Sequence, residues 1–227
     1  MARTLNPEAH ALRRDEFVDV AQRLIATKGY EQLSVQDVLD ELGASKGAFY
    51  HYFDSKAALL QGVVERIVDA ATATLTPIAC DPSLCAVAKI EGIFAALAQW
   101  KTERKELMLA LIRVWFSDDN AMTRDKLRQA MASRLTPLLA VIMRQGTAEG
   151  AFTVRSPDQT AGVFVSLLQG ANETASHLFL DRQAGTISFE EVEQTLAAYT
   201  EAYERILGLA AGTFRFMDRP TLRFWFG

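Results

Sequence analysis

The sequence predicts an all-α fold, and three observations carry that reading. Apolar residues recur at three- and four-residue spacing along nearly the whole chain. Alternating β-branched runs, the mark of strands, are almost absent before the last residues. Helix-starting Ser and Asp and helix-stopping Gly punctuate the apolar stripes at regular intervals.

The elements follow in order. Phe17, Ala21, Leu24 and Ile25 line one face of a first helix that Gly29 ends. Ser34 caps a short helix through Val35, Val38, Leu39 and Leu42, closed by Gly43. Ser45 opens a shorter helix, reaching Tyr52, that contains Phe49. Ser55 caps a long helix through Leu59, Leu60, Val63, Ile67 and Ala71, ending near Pro77. A helix from about Ser83 to Trp100 comes next. The helix after it, Glu103–Phe116, is apolar nearly all round over Leu107–Ile112 and is expected to be buried.

Ser117–Asn120 reads as a loop. A long helix follows through Leu127, Met131, Leu135, Leu138 and Ile142, with Pro137 expected to kink it. Ser156-Pro157-Asp158 starts a helix to about Leu180, with a cap, a first-turn Pro and an acid at the positive end. Ser188 starts the last long helix, which Gly212 closes. The tail 213–227 carries Phe214, Phe216, Phe224, Trp225 and Phe226, too many aromatics to leave in water, so it should dock on the subunit or a symmetry mate.

Composition narrows the function classes. The chain has 227 residues, 49% apolar and 23% charged, which suits an ordinary globular protein of one domain plus a smaller module. The longest charge-free apolar stretch, Gln159–Asn172, has 14 residues, short of the roughly 20 a membrane span needs. No signal-like apolar run opens the chain, so a cytoplasmic location is expected. Cys80 and Cys85, with His10, His51 and His177 scattered, give no metal-ligand spacing and are expected to be free thiols. No nucleophile–base pair, metal cluster or phosphate loop is visible, so neither catalysis nor a cofactor is expected. The net charge of −4 argues on its face against nucleic acid.

Residues 34–56 argue the other way. Two short helices joined at Leu42-Gly43-Ala44 form a helix-turn-helix arrangement. Gly43 lets the chain leave the first helix left-handed, and Ala44 lets the helices cross closely. Consecutive Tyr50, His51 and Tyr52 cannot share one face, so at least one is exposed. Hydroxyls at Ser34, Ser45 and Tyr50 suit phosphate oxygens, Lys46 and Gln36 suit base edges, and Lys56 suits a phosphate.

The stretches RDEFVDVAQRLIATKGY and SVQDVLDELGASKGAFYHYFDSKAALL resemble the DNA-binding domain of the TetR family of transcriptional regulators, over about a fifth of the chain. The resemblance implies a three-helix helix-turn-helix domain over 1–56 and a helical ligand-binding and dimerisation domain over 57–227. It implies that Ser34 and Tyr50 grip phosphates and that Lys46, Gly47, Ala48 and His51 face the major groove. Gln36 would reach in from the second helix, Ser45 would sit at the start of the reading helix, and Lys56 would complete the backbone contact. Arg13 and Arg14 would either reach phosphates as an N-terminal arm or stand as a solvated arginine pair.

It further implies a palindromic operator, a homodimer through the helices near 157–180 and 188–211, and a repressor released by a small molecule, which the apolar and aromatic pocket candidates suggest is hydrophobic or amphipathic. Candidate pocket residues are Phe94, Met108, Arg113, Trp115, Asn172 and His177. Arg113 interrupts an apolar run and, if buried, needs a carboxylate partner such as Glu91 or Glu173, or an anionic ligand.

Overall fold

The computed structural model describes residues 7–115, 121–214 and 217–227, and among them every regular element is a helix. These are α1 (Pro7–Lys28), α2 (Val35–Leu42), α3 (Lys46–Tyr50), α4 (Lys56–Cys80), α5 (Ala86–Thr102), α6 (Lys105–Trp115), α7 (Ala121–Ala148), α8 (Pro157–Gln183), α9 (Phe189–Leu207) and α10 (Arg219–Phe226).

Two compact units emerge. One comprises residues 1–68 and 104–129, the other 69–103 and 130–227. This differs from a single cut after residue 56. The first half of α4, all of α6 and the start of α7 group with the N-terminal helices, because their apolar residues pack there.

The N-terminal unit is built on Phe17, Ala21 and Ile25 of α1, Val38 and Leu39 of α2, Phe49 of α3, and Leu59 and Val63 of α4. Gly62 lets α4 lie close to its neighbours. A Cβ there would stand 3.2 Å from the Phe53 ring and 3.3 Å from Val18. The expected all-round burial of Leu107–Ile112 does not hold, since Leu107 alone is buried and the rest are partly exposed. A helix that packs mainly on α1 needs one buried stripe, not a full circumference.

The C-terminal unit centres on Leu75, Ile90, Phe94, Ile142, Met143, Phe164, Tyr203, Leu207 and Phe214. Several expected boundaries shift. Helix α4 passes through Pro77 to Cys80, and α5 starts at Ala86, where Glu149 Oε2 accepts the Ala86 N–H at 2.9 Å. Ser156 occupies the cap position of α8 without a side-chain cap bond. Helix α7 runs on through Pro137. Gly208, at φ +71°, ends α9 in place of Gly212. The loop expected at 117–120 lies outside the described residues.

The aromatic tail folds into α10. Asp218 caps it by accepting the Thr221 N–H at 2.9 Å, and Pro220 stands in its first turn. Leu222 and Phe226 bury against Val192 and Leu196, and Arg182 Nε donates to the Phe226 carbonyl at 3.0 Å. The tail therefore docks on its own chain, as expected. Phe224 stays exposed.

Candidate nucleic-acid interface

Local chemistry builds the site from α2 onward. The Ser34 hydroxyl accepts the Asp37 N–H at 3.1 Å, while the Asp37 carboxylate accepts the Ser34 N–H at 2.7 Å, a reciprocal cap on α2. Lys28 Nζ reaches the same carboxylate at 2.6 Å, tying the end of α1 to the start of α2. The Lys28 ammonium, with the Ser34 hydroxyl and N–H, holds the Asp37 carboxyl far below the usual carboxylate range. Gly43 sits at φ +59° and sends the chain into α3, whose first turn is capped by Ser45 accepting the Ala48 N–H at 3.2 Å.

Helix α3 has five residues, and one of them orients the rest. Phe49 is fully buried, with its ring 5.8 Å from Phe17 and 5.7 Å from Phe53. With Phe49 inward, Ser45, Lys46, Gly47, Tyr50 and His51 are exposed and Ala48 is part-buried. Tyr50 is 56% exposed. Gln36 is exposed on α2, where its amide donates to Asp40 at 2.7 Å.

Three expected roles change on inspection. The Ser34 hydroxyl donates to Asp37 Oδ2 at 2.6 Å, so its proton is already committed. Lys56 is not held out to solvent: its ammonium lies 4.2 Å from the centre of the Tyr30 ring and reaches the Glu31 carbonyl at 3.4 Å. Burial there pushes the Lys56 pKa down. Arg13 and Arg14 do not form an arm, because α1 begins at Pro7 and places both in its second turn. Arg13 pairs with Glu16 and lies over Phe17; Arg14 lies over Phe53 and 3.8 Å from Glu65.

These pairings decide where positive charge is left. Arg23 pairs with Glu41, and Lys28 with Asp37. Among residues 7–60, Lys46 and Lys56 are then the cations with no carboxylate within 4 Å, and Lys56 is stacked. Lys46 is thus the uncommitted cation of this surface. Sequence reasoning missed three supporting residues: Lys28, Tyr30 and His10. His10 rings α3 from α1, 5.3 Å from His51 and 4.6 Å from Tyr52. The histidine and tyrosine types were visible, but nothing in their spacing joined them across forty residues.

Among the described residues, the expected pocket residues divide between the two units. Phe94 and Asn172 belong to the C-terminal unit, whereas Met108 packs on the core of the N-terminal unit. Met108 lies there because α6 groups with α1. His177 and Glu173 are exposed on α8, and Glu91 is exposed on α5. The side chains of Arg113 and Trp115 lie outside the described residues.

Comparison with known proteins agrees with this geometry. Residues 17–63 match the family model described as bacterial regulatory proteins, tetR family. The HTH-type transcriptional repressor KstR2 of Mycolicibacterium smegmatis is 25% identical over 199 residues, covering 85% of this chain and 90% of that one. A TetR transcription regulator from Haloarcula marismortui superposes with a TM-score of 0.61 at 21% identity, over 85% of this chain and 98% of the other. The SmeT–triclosan complex superposes with a TM-score of 0.58 at 17% identity, over 90% and 95%. No helix among the described residues is long and apolar enough to cross a membrane. The chain is a DNA-binding transcriptional regulator whose residues 17–63 match the DNA-binding domain of the tetR family.

Proposed function

We propose that the chain is a homodimeric repressor that binds a palindromic operator and is released by a small amphipathic molecule. The observation that carries the reading is the phase of α3: Phe49 locks inward, and Lys46, Gly47, Tyr50 and His51 point out beside Gln36. In the groove, Lys46 and Gln36 would meet base edges, and Gly47 and Ala48 would admit the backbone close to the groove wall. Tyr50 would hold phosphate. Lys56 would act by fixing the start of α4, and Ser34 and Ser45 by capping the two helices, with phosphate contact from Ser34 requiring it to release Asp37.

Two reading helices in a dimer would lie about one helical turn of DNA apart, roughly 34–36 Å. Val163 of α8 is 56% exposed, and Gly162, Ser166 and Gly170 beside it keep that helix face small, which suits close packing by a symmetry mate. That the M. smegmatis relative is a transcriptional repressor supports the sign of regulation, and triclosan in the SmeT complex supports a small-molecule effector. Helix α4 contributes residues to both units and is the natural lever between them.

Anisotropy titration of the chain against labelled DNA from its own upstream region should show saturable, salt-sensitive dimer binding. Combined Lys46→Ala and Tyr50→Ala substitutions should abolish it. Retained binding by the double variant refutes the assignment of this face to the groove.

A further inference from the structure

One stripe of α5 carries a lysine at each end. Lys89, Ile93, Leu97 and Lys101 recur every four residues and so share a face. Phe164, Leu168 and Asn172 do the same on α8. Between these stripes lies an apolar slot of about 10 Å³, lined by Ile93, Phe94, Leu97, Phe164, Leu168 and leucines of α7.

The two lysines are not equivalent. Lys89 is 4% exposed, and its ammonium donates to Gln145 Oε1 at 2.7 Å, with Glu149 close enough to offset its charge. Lys101 has no such carboxylate. Its Nζ donates to Asn172 Oδ1 at 2.6 Å, and the amide of Asn172 is spent on the Leu168 carbonyl at 3.0 Å. No acidic group lies within 4 Å of Lys101 among the described residues. Part of the side chain meets solvent, but protein rings the ammonium closely, and burial pushes its pKa down to about 8. It therefore remains a cation at neutral pH, with one of three donors used on a neutral partner. A buried charge without a counter-charge is costly, and an anion beside it removes the cost.

We propose that Lys101 and Asn172 form the head-group end of the effector site, and that the effector is an amphipathic carboxylate whose apolar body enters the slot between α5 and α8. The proposal rests on the ligand-responsive reading above and names its ligand class. A slot of about 10 Å³ holds one water at most, so the apolar body must part the leucines to enter.

The test uses the full-length protein with dodecanoate and dodecan-1-ol, which share a chain and differ in the head. Binding is read by calorimetry and by the fluorescence of Trp100, which neighbours Lys101. Wild type should bind dodecanoate at least about tenfold more tightly than the alcohol. Lys101→Met should reduce the preference to within about twofold, Lys101→Arg should keep it, and Lys101→Met without ligand should melt higher than wild type. Equal binding of acid and alcohol by wild type overturns the proposal, as does a preference that survives Lys101→Met, or no binding of either probe. Operator anisotropy measured in parallel separates the two readings. Lys101-dependent dodecanoate binding that leaves operator affinity unchanged upholds this site and refutes effector release.

Discussion

Gly146→Ala should destabilise the protein although it removes a glycine from a helix. Gly146 lies in α7, and a Cβ there would stand 2.1 Å from Phe152 Cδ2, 2.3 Å from Cε2 and 2.7 Å from Cγ. Carbon atoms in good contact sit about 3.5–4.0 Å apart, so the ring edge would have to retreat by about 1.5 Å. It has little room, because Phe152 is 2% exposed within the C-terminal core. Its backbone is pinned as well: Phe152 N donates to the Gly146 carbonyl at 3.0 Å, and Thr153 N donates to the Leu207 carbonyl at 3.0 Å. Overpacking of this kind costs about 1–3 kcal/mol, and the size of the displacement places this case near the top. The helix-propensity gain of Ala over Gly offsets about 1 kcal/mol. The net is a loss of about 2 kcal/mol, or a fall in Tm of about 4–8 °C for a chain of this size. Circular dichroism at 222 nm during heating measures it. Adding Phe152→Leu to Gly146→Ala should recover part of the loss, since the methyl then meets no ring edge. A Gly146→Ala variant that melts at or above wild type refutes the argument.

Three further outcomes follow from the same geometry. Lys46→Ala should relax base preference at the position it meets while leaving the slope of log K against log salt nearly unchanged, and a slope that falls by about 1.8 for the dimer would assign Lys46 to a phosphate instead. Phe226→Ala should unseat α10 at a cost of about 1–3 kcal/mol, a terminal helix being able to relax by undocking, and limited proteolysis should then cut within 209–218 in the variant while sparing wild type. For Lys101 the folded pKa lies near 8, below the unfolded value, so the unfolded state binds more protons between about pH 8 and 10.5 and stability rises with pH across that window. The Tm gap between wild type and Lys101→Met should therefore narrow from pH 7.5 to 10, and a constant gap would show that the ammonium is not desolvated.

What could be read in advance divides by the range of the interaction. Gly43, Ser34, Ser45 and Ser188 act within four residues of themselves, and each stands where local chemistry put it. Gly208 and Gly212 were indistinguishable by type, and both have positive φ. What makes Gly208 the end of α9 is Thr153, whose Oγ1 would lie 1.6 Å from a Cβ at 208, a neighbour fifty-five residues away. The same holds at the interface. That Phe49 faces inward could be read from its neighbours, whereas the stacking of Lys56 on Tyr30 and the clasp of Asp37 by Lys28 depend on how α1 meets α2 and α4. The grouping of α6 with the N-terminal unit was hidden for a related reason: amphipathic spacing says that a helix has a partner and not which one.

The charge balance shows how little a sum of charges says about a surface. Residues 1–60 hold seven Lys and Arg against nine Asp and Glu, which on composition alone points away from DNA. The ion pairs of those carboxylates lie away from α3: Glu16 holds Arg13, Glu41 holds Arg23, Asp37 holds Lys28 and Asp19 holds Arg66. Helix α3 itself, Lys46–Tyr50, contains no acid, and its cation is unpaired. Ion pairs elsewhere in the unit neutralise each other at short range, and at physiological salt their residual field is screened within about 8 Å. What DNA would meet first is therefore Lys46 and the hydroxyl of Tyr50, not the average of the domain. Such a surface has little long-range attraction, so on the proposed reading its affinity comes from fit in the groove and from joining two copies. A change that separated the protomers would then weaken binding far more than one that altered a peripheral charge.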